Sequence, residues 1–149
     1  HSVMLLEIDA VNMYDTAAEN MGKVFISTEL GGGGSTTSYT VEIAKKGIRN
    51  ILRHAGITEG DLEVDETLNL DMPDDNCYIF SESTGLVEHC VDLGDEVESG
   101  QLIAKVHNIE RTGSPPDKYH AKIDGIFTGK HFPGHVVNGD FLGVIAVPV

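Results

Sequence analysis

The sequence predicts a short α/β segment followed by an all-β domain with quasi-twofold character, a small barrel or sandwich. Three observations carry this reading. A run rich in β-formers ends in four glycines and leads into one amphipathic helix. Beyond residue 60 the pattern changes, and short apolar runs alternate with Gly-Asp turns. The later half also echoes itself. Val97-Glu98-Ser99-Gly100-Gln101-Leu102-Ile103-Ala104-Lys105-Val106 matches Val136-Val137-Asn138-Gly139-Asp140-Phe141-Leu142-Gly143-Val144-Ile145 in its apolar residues and glycine. Gly85-Leu86-Val87 and Gly125-Ile126-Phe127 open the two copies with a one-residue slip. Two similar units of about 40 residues favour a closed β fold. The predicted domains are 1–66 and 67–149, with an acidic connection running from Ile57 to Asp75.

Each element of the first segment has a local reason. Thr16-Ala17-Ala18-Glu19 has capping-box spacing, which predicts a short helix halted by Gly22. Lys23 to Leu30 places apolar residues on both faces, as a central strand does, and stops at Gly31 to Gly34. Ser35 to Ser38 offers several N-caps for a second helix. In that helix Val41, Ala44, Ile48, Ile51, Leu52 and Ala55 recur on one face. Glu42 lies near its start, Arg49, Arg53 and His54 near its end, and Gly56 closes it, all in accord with the helix dipole.

Charge narrows the functional classes. Ten Lys+Arg stand against 24 Asp+Glu, a formal net charge of −14 in 149 residues. Such a surface repels phosphate backbones and anionic lipid, so neither nucleic acid nor membrane is an expected partner. No apolar run approaches the ~20 residues of a membrane span. His1 to Glu7 lacks the basic start and apolar core of a signal peptide. Two cysteines, Cys77 and Cys90, are too few for a disulfide scaffold. A cytoplasmic location is expected, with homo-oligomerisation left open.

Glu29 stands out among single residues. A carboxylate at the end of a strand, followed at once by a Gly-rich turn, sits where α/β sheets place their chemistry. It has the type and position of a general base, or else it caps the loop or pairs with a lysine. Gly31-Gly32-Gly33-Gly34-Ser35-Thr36 does not read as a phosphate loop, because Gly34 holds the place of the required lysine. His107-Asn108-Ile109-Glu110 has a zinc-like spacing but lies between two β units without a second histidine in register. His131 and His135 are separated by Pro133-Gly134, which forbids the helix that would align them. The Gly-Asp units also resemble the biotinyl and lipoyl carrier fold. The carrier lysine would fall about eleven residues before Gly125, where Ser114 stands; Lys118 and Lys122 are out of register.

Met13-Tyr14-Asp15-Thr16, then Lys23 to Gly34 with Thr28-Glu29-Leu30-Gly31-Gly32 at its centre, resembles the succinylglutamate desuccinylase/aspartoacylase family. The nearest likeness is to its N-acetyl-diaminobutyrate deacetylase branch. Gly94-Asp95-Glu96-Val97, Gly100-Gln101-Leu102-Ile103-Ala104 and Asp124-Gly125-Ile126 are similar to that family's C-terminal β domain.

The resemblance implies a zinc-carboxypeptidase-like hydrolase that cleaves the amide bond of an N-acyl amino acid. It maps the family's general base onto Glu29 and implies a substrate contact at Tyr14. Arg111 is a candidate partner for a substrate carboxylate. In the family a His-x-x-Glu pair and a later histidine hold zinc, and all precede the base. Here 28 residues precede Glu29, and their only histidine is His1. The expectation is therefore the C-terminal portion of a zinc deacylase, with no metal ligand of its own and inactive alone. A non-catalytic β module for assembly or binding is the competing expectation, and a carrier domain the third.

Overall fold

The computed structural model describes the backbone of residues 2–4 and all of residues 13–149. His1 and residues 5–12 lie outside the described residues. The chain divides into two compact units: one contains residues 13–66, the other Thr67–Val149 together with Ser2–Met4. Among the described residues no helix is long and apolar enough to cross a membrane.

The first unit holds two helices. Helix α1 spans Tyr14–Asn20, and Thr16 lies inside it instead of capping it. Asp15 Oδ1 accepts from the Thr16 N–H at 2.7 Å, satisfying one free donor of the first turn. Its end matches expectation. The N–H groups of Gly22 and Lys23 bond back to the carbonyls of Glu19 and Ala18, a glycine-closed terminus. Helix α2 spans Ser38–His54. Thr37 proves to be its cap, through a reciprocal capping box with Thr40. Gly56 and Ile57 close its end on the carbonyls of Arg53 and Leu52.

Lys23 to Leu30 differs from the sequence expectation. Among the described residues it joins no sheet, and Val24 is 97% exposed. The side chains favour a strand, but a strand is defined by neighbours that supply its backbone partners. None of the described residues supplies them. The described unit is therefore helical with an extended run, and it shows no α/β sheet. The apolar face of α2 is open in the same way: Val41, Ile48 and Ile51 are all exposed, and no residue of the helix is fully buried.

The second unit is a two-sheet β structure. In chain order its strands are β1 (Ser2–Met4), β2 (Leu68–Asp71), β3 (Tyr78–Phe80), β4 (Gly85–His89), β5 (Glu96–Val97), β6 (Leu102–His107), β7 (Asp117–His120), β8 (Gly125–Lys130), β9 (His135–Val136) and β10 (Phe141–Pro148). Ser2–Met4 was expected in the first segment, yet it pairs in parallel with β2, Ser2 opposite Leu68. One sheet runs β1-β2-β10-β8-β5 with β3 also on β10; the other runs β7-β6-β4-β9.

The internal echo has a structural counterpart. β3-β10-β8-β5 in one sheet corresponds to β7-β6-β4-β9 in the other. Each copy thus lends strands to its sister's sheet. Even single hydrogen bonds repeat. Gly100 N–H bonds to Ala121 O at 2.8 Å, and Gly139 N–H to Ser81 O at 2.7 Å. The Gln101 side chain accepts from Glu98 N–H, as that of Asp140 does from Val137 N–H. Both glycines sit at positive φ, 87° and 90°, where a Cβ is costly. The echo in sequence is a repeated turn that carries the chain from one sheet to the other, from β5 to β6 and from β9 to β10.

Both sheets feed one core. Val97, Ile103 and Val106 of the first copy pack with Val136, Leu142 and Ile145 of the second, around Phe127. Phe127, Ile103, Leu142 and Ile145 are fully buried. Gly143 makes room for the largest of them, since a Cβ there would lie 2.4 Å from the Phe127 ring.

Candidate functional site

Glu29 stands near the end of the extended run and is exposed. Among the described residues no hydrogen bond or ion pair engages its carboxylate, so the lysine-paired reading has no support there. The turn that follows explains the glycines. Gly31, Gly33 and Gly34 adopt φ of 94°, 67° and 68°, and Gly32 bridges Ser35. Few side chains tolerate that series, so glycines permit the sharp reversal from the Glu29 run into α2. The result is a carboxylate next to a tight turn with open space around it.

Tyr14 opens α1 and packs edge-on against Phe25, with ring centroids 5.5 Å apart. This contact ties α1 to the run that bears Glu29. The Tyr14 side chain is otherwise open, at 81% exposure. Both Tyr14 and Glu29 belong to the helical unit. Arg111 belongs to the β unit, on the loop between β6 and β7. There Asn108 Oδ1 accepts the N–H groups of Glu110 and Arg111 at 2.8 and 3.1 Å, an Asx turn that fixes the loop backbone.

The zinc-like spacing at His107 serves another contact. His107 Nε2 lies 2.6 Å from Glu88 Oε2, and Lys105 Nζ lies 2.6 Å from Glu88 Oε1. The Lys105 hydrogen bond, then that of His107, holds the Glu88 carboxyl below its ordinary range. His131 Nε2 points to the His135 carbonyl at 3.2 Å. Cys77 is buried, Cys90 exposed, and both are free thiols. Among the described residues no three His, Cys, Asp or Glu side chains converge as metal ligands. At the β6–β7 hairpin, Ser114 occupies the carrier position, and Lys118 lies within β7 opposite Lys105.

One feature of the β unit escaped the sequence reading. His89 tucks its ring 6.4 Å from that of Phe127, and both ring nitrogens are buried and, among the described residues, without a partner at hydrogen-bonding geometry. Burial lowers its pKa from the ordinary 6.5. Alternation along β4 placed it inward, but that signal is the same for any histidine in a strand.

No family model matches the chain. Individual relatives do. Over 148 residues the chain is 46% identical to the N-alpha-acetyl-L-2,4-diaminobutyric acid deacetylase of Halomonas elongata, covering 98% of the chain and 43% of that protein. The product-bound structure of the ectoine utilization protein EutE (DoeB) from Ruegeria pomeroyi matches with a TM-score of 0.94 and 50% identity. That match covers 98% of this chain and 45% of the other. A succinylglutamate desuccinylase from a Silicibacter species matches with a TM-score of 0.90 and 49% identity, over 99% and 45% of the two chains. A succinylglutamate desuccinylase/aspartoacylase from Rhodobacter sphaeroides matches at 0.88 and 30% identity, over 93% and 44%.

The chain carries a segment of the succinylglutamate desuccinylase/aspartoacylase family. It spans less than half the length of these relatives. Because nearly all of the chain aligns, the family likeness extends over the helical unit and the β unit alike.

Proposed function

We propose that the chain is the C-terminal portion of a zinc-dependent deacylase that hydrolyses the amide bond of an N-acyl amino acid, with N-acetyl-diaminobutyrate as the leading substrate. The observation that carries this reading is the 46% identity to a diaminobutyric acid deacetylase across 98% of the chain. The described residues do not fit a zinc site of their own, since His107 is committed to Glu88 and no ligand set converges. The proposed zinc ligands lie outside the described residues.

Glu29 is the proposed general base. Its exposed carboxylate, without a partner among the described residues, stands beside a backbone turn with lone pairs and room for a water. It takes a proton from that water as it attacks the acyl carbon, and returns it to the departing amine. Such a role contributes about 10²- to 10⁴-fold in rate. Tyr14, held against Phe25, is the proposed substrate contact of the helical unit. Arg111, on a loop set by Asn108, is the proposed partner for the substrate carboxylate. The net charge of −14 favours an amine-bearing substrate over one with a second anionic group such as succinyl.

Two measurements test this. The purified 149-residue chain, assayed with N-acetyl-diaminobutyrate and analysed for zinc, is expected to be inactive and metal-free. Turnover with stoichiometric zinc would overturn the assignment of the metal to other residues. In an intact enzyme containing this segment, Glu29→Gln is expected to abolish turnover without changing zinc content, and retained turnover would remove Glu29 from the role.

A further inference from the structure

The acidic stretch after α2 is docked structure. The chain reverses past Gly60, and Asp61, Glu63 and Asp65 then follow at every second position. Lys46, Asn50 and Arg53 lie on one face of α2, at spacings of four and three. The two periods interlock in an antiparallel sense.

Arg53 Nη1 donates to the Asp61 carbonyl and to Glu63 Oε1, both at 2.8 Å. Asn50 Nδ2 donates to the Glu63 carbonyl at 2.9 Å, while Asn50 Oδ1 accepts the Glu63 N–H at 3.0 Å. Its amide thus pairs with both backbone groups of residue 63, as a neighbouring strand would. Lys46 closes the row with an ion pair to Asp65. The lysine and arginine hold the Asp65 and Glu63 carboxyls below their ordinary range.

We propose that residues 61–65 form a strap, clasped along α2 by Lys46, Asn50 and Arg53, that holds this acidic stretch ordered against the helix. Only Glu66 and Thr67 separate the strap from Leu68, the first residue of β2. The clasp's two kinds of contact respond differently. Salt screens the exposed ion pairs, whereas the neutral Asn50 pairing is insensitive to it.

The test is cleavage after Glu63 and Glu66 by a glutamate-specific protease, in the full 149-residue chain. Rates are taken relative to a free peptide of residues 57–71 in the same salt. The expected result is slow cleavage at low salt, and about tenfold faster cleavage in Asn50→Ala, which loses two hydrogen bonds. Raising NaCl from about 0.05 to about 1 M is expected to speed cleavage of the unmodified chain roughly threefold, and less in Lys46→Ala. Lys45→Ala, whose amine pairs with Glu42 on α2, leaves the rate unchanged. Cleavage of the unmodified chain as fast as the free peptide, or independent of salt, would overturn the proposal. So would an Asn50→Ala rate equal to that of the unmodified chain, with α2 intact by circular dichroism.

Discussion

The helical unit and the β unit differ in how they spend their apolar residues. In the β unit, alternate residues of both sheets close on a core that excludes water, and Phe127, Ile103, Leu142 and Ile145 are wholly inside. In the helical unit the same residue types remain outside: Ile48 is 58% exposed and no residue of either helix is fully buried. Local order there comes from hydrogen bonds, in the Thr37 capping box and the strap on α2. Helix formation therefore needs only its own chain, whereas burial needs a second surface. The difference separates stability, which resides in the β unit, from the chemistry proposed for Glu29.

Four outcomes can break or sharpen that contrast. The largest is kinetic. In an intact enzyme, Glu29→Gln is expected to lower kcat by about 10²- to 10⁴-fold. The thermal midpoint should stay in place, because the side chain is exposed and unpaired among the described residues. A large fall in that midpoint would mean that Glu29 is structural.

Next comes the core. Phe127→Ala is expected to destabilise the β unit by about 3–5 kcal/mol and Ile145→Ala by about 2–5 kcal/mol, read from denaturant midpoints. Both side chains are fully buried, on the paired strands β8 and β10 of the second copy. Losses below about 1 kcal/mol would show that the core is not the anchor.

His89 supplies a pH dependence of intermediate size. Its native pKa is lowered chiefly by burial; the His131 backbone opposes this in part, the charges of Lys130 and His131 add to the lowering, and Asp92 counters it. The unfolded ring, near its ordinary 6.5, therefore holds a proton that the native ring resists. Stability is full above that value and falls as pH drops through it toward the lower native pKa. His89→Leu should narrow the difference in melting temperature between about pH 5 and about pH 7.5. An unchanged difference would assign the acid sensitivity elsewhere.

The smallest expected effect is Ile48→Ala on α2. It should change the stability of this chain by no more than about 0.5 kcal/mol, the range of surface substitutions. Set beside Ile145→Ala, it compares one residue type in the two units directly. A cost near 2 kcal/mol would mean that the open face of α2 is covered in solution.

Much of the fold was legible because its signals are local. Gly22 and Gly56 marked helix ends, the α2 periodicity marked its length, and the repeated Gly100 and Gly139 turns marked two matching β units. Thr16 misled, since capping-box spacing occurs by chance inside a seven-residue helix. Lys23 to Leu30 misled for a deeper reason. Its residues are suited to a strand, but ladder partners are a property of other segments. For the candidate site, Glu29 and its glycine turn were legible as a motif. The commitment of His107 to Glu88 was not, because those residues are brought together across two strands.

The sequence by itself determined the caps, the turns, the repeat and the position of a carboxylate before a glycine reversal. Each depends on the conformational preferences of a few adjacent residues. Tertiary structure alone decided that β3 pairs with β10 and β7 with β6, that Ser2–Met4 joins the β unit, and that His89 lies against Phe127. It also decided that the acidic connection lies clasped on α2. These depend on backbone donors and acceptors meeting across long stretches of chain, and on which surfaces exclude water, quantities that local preference does not contain.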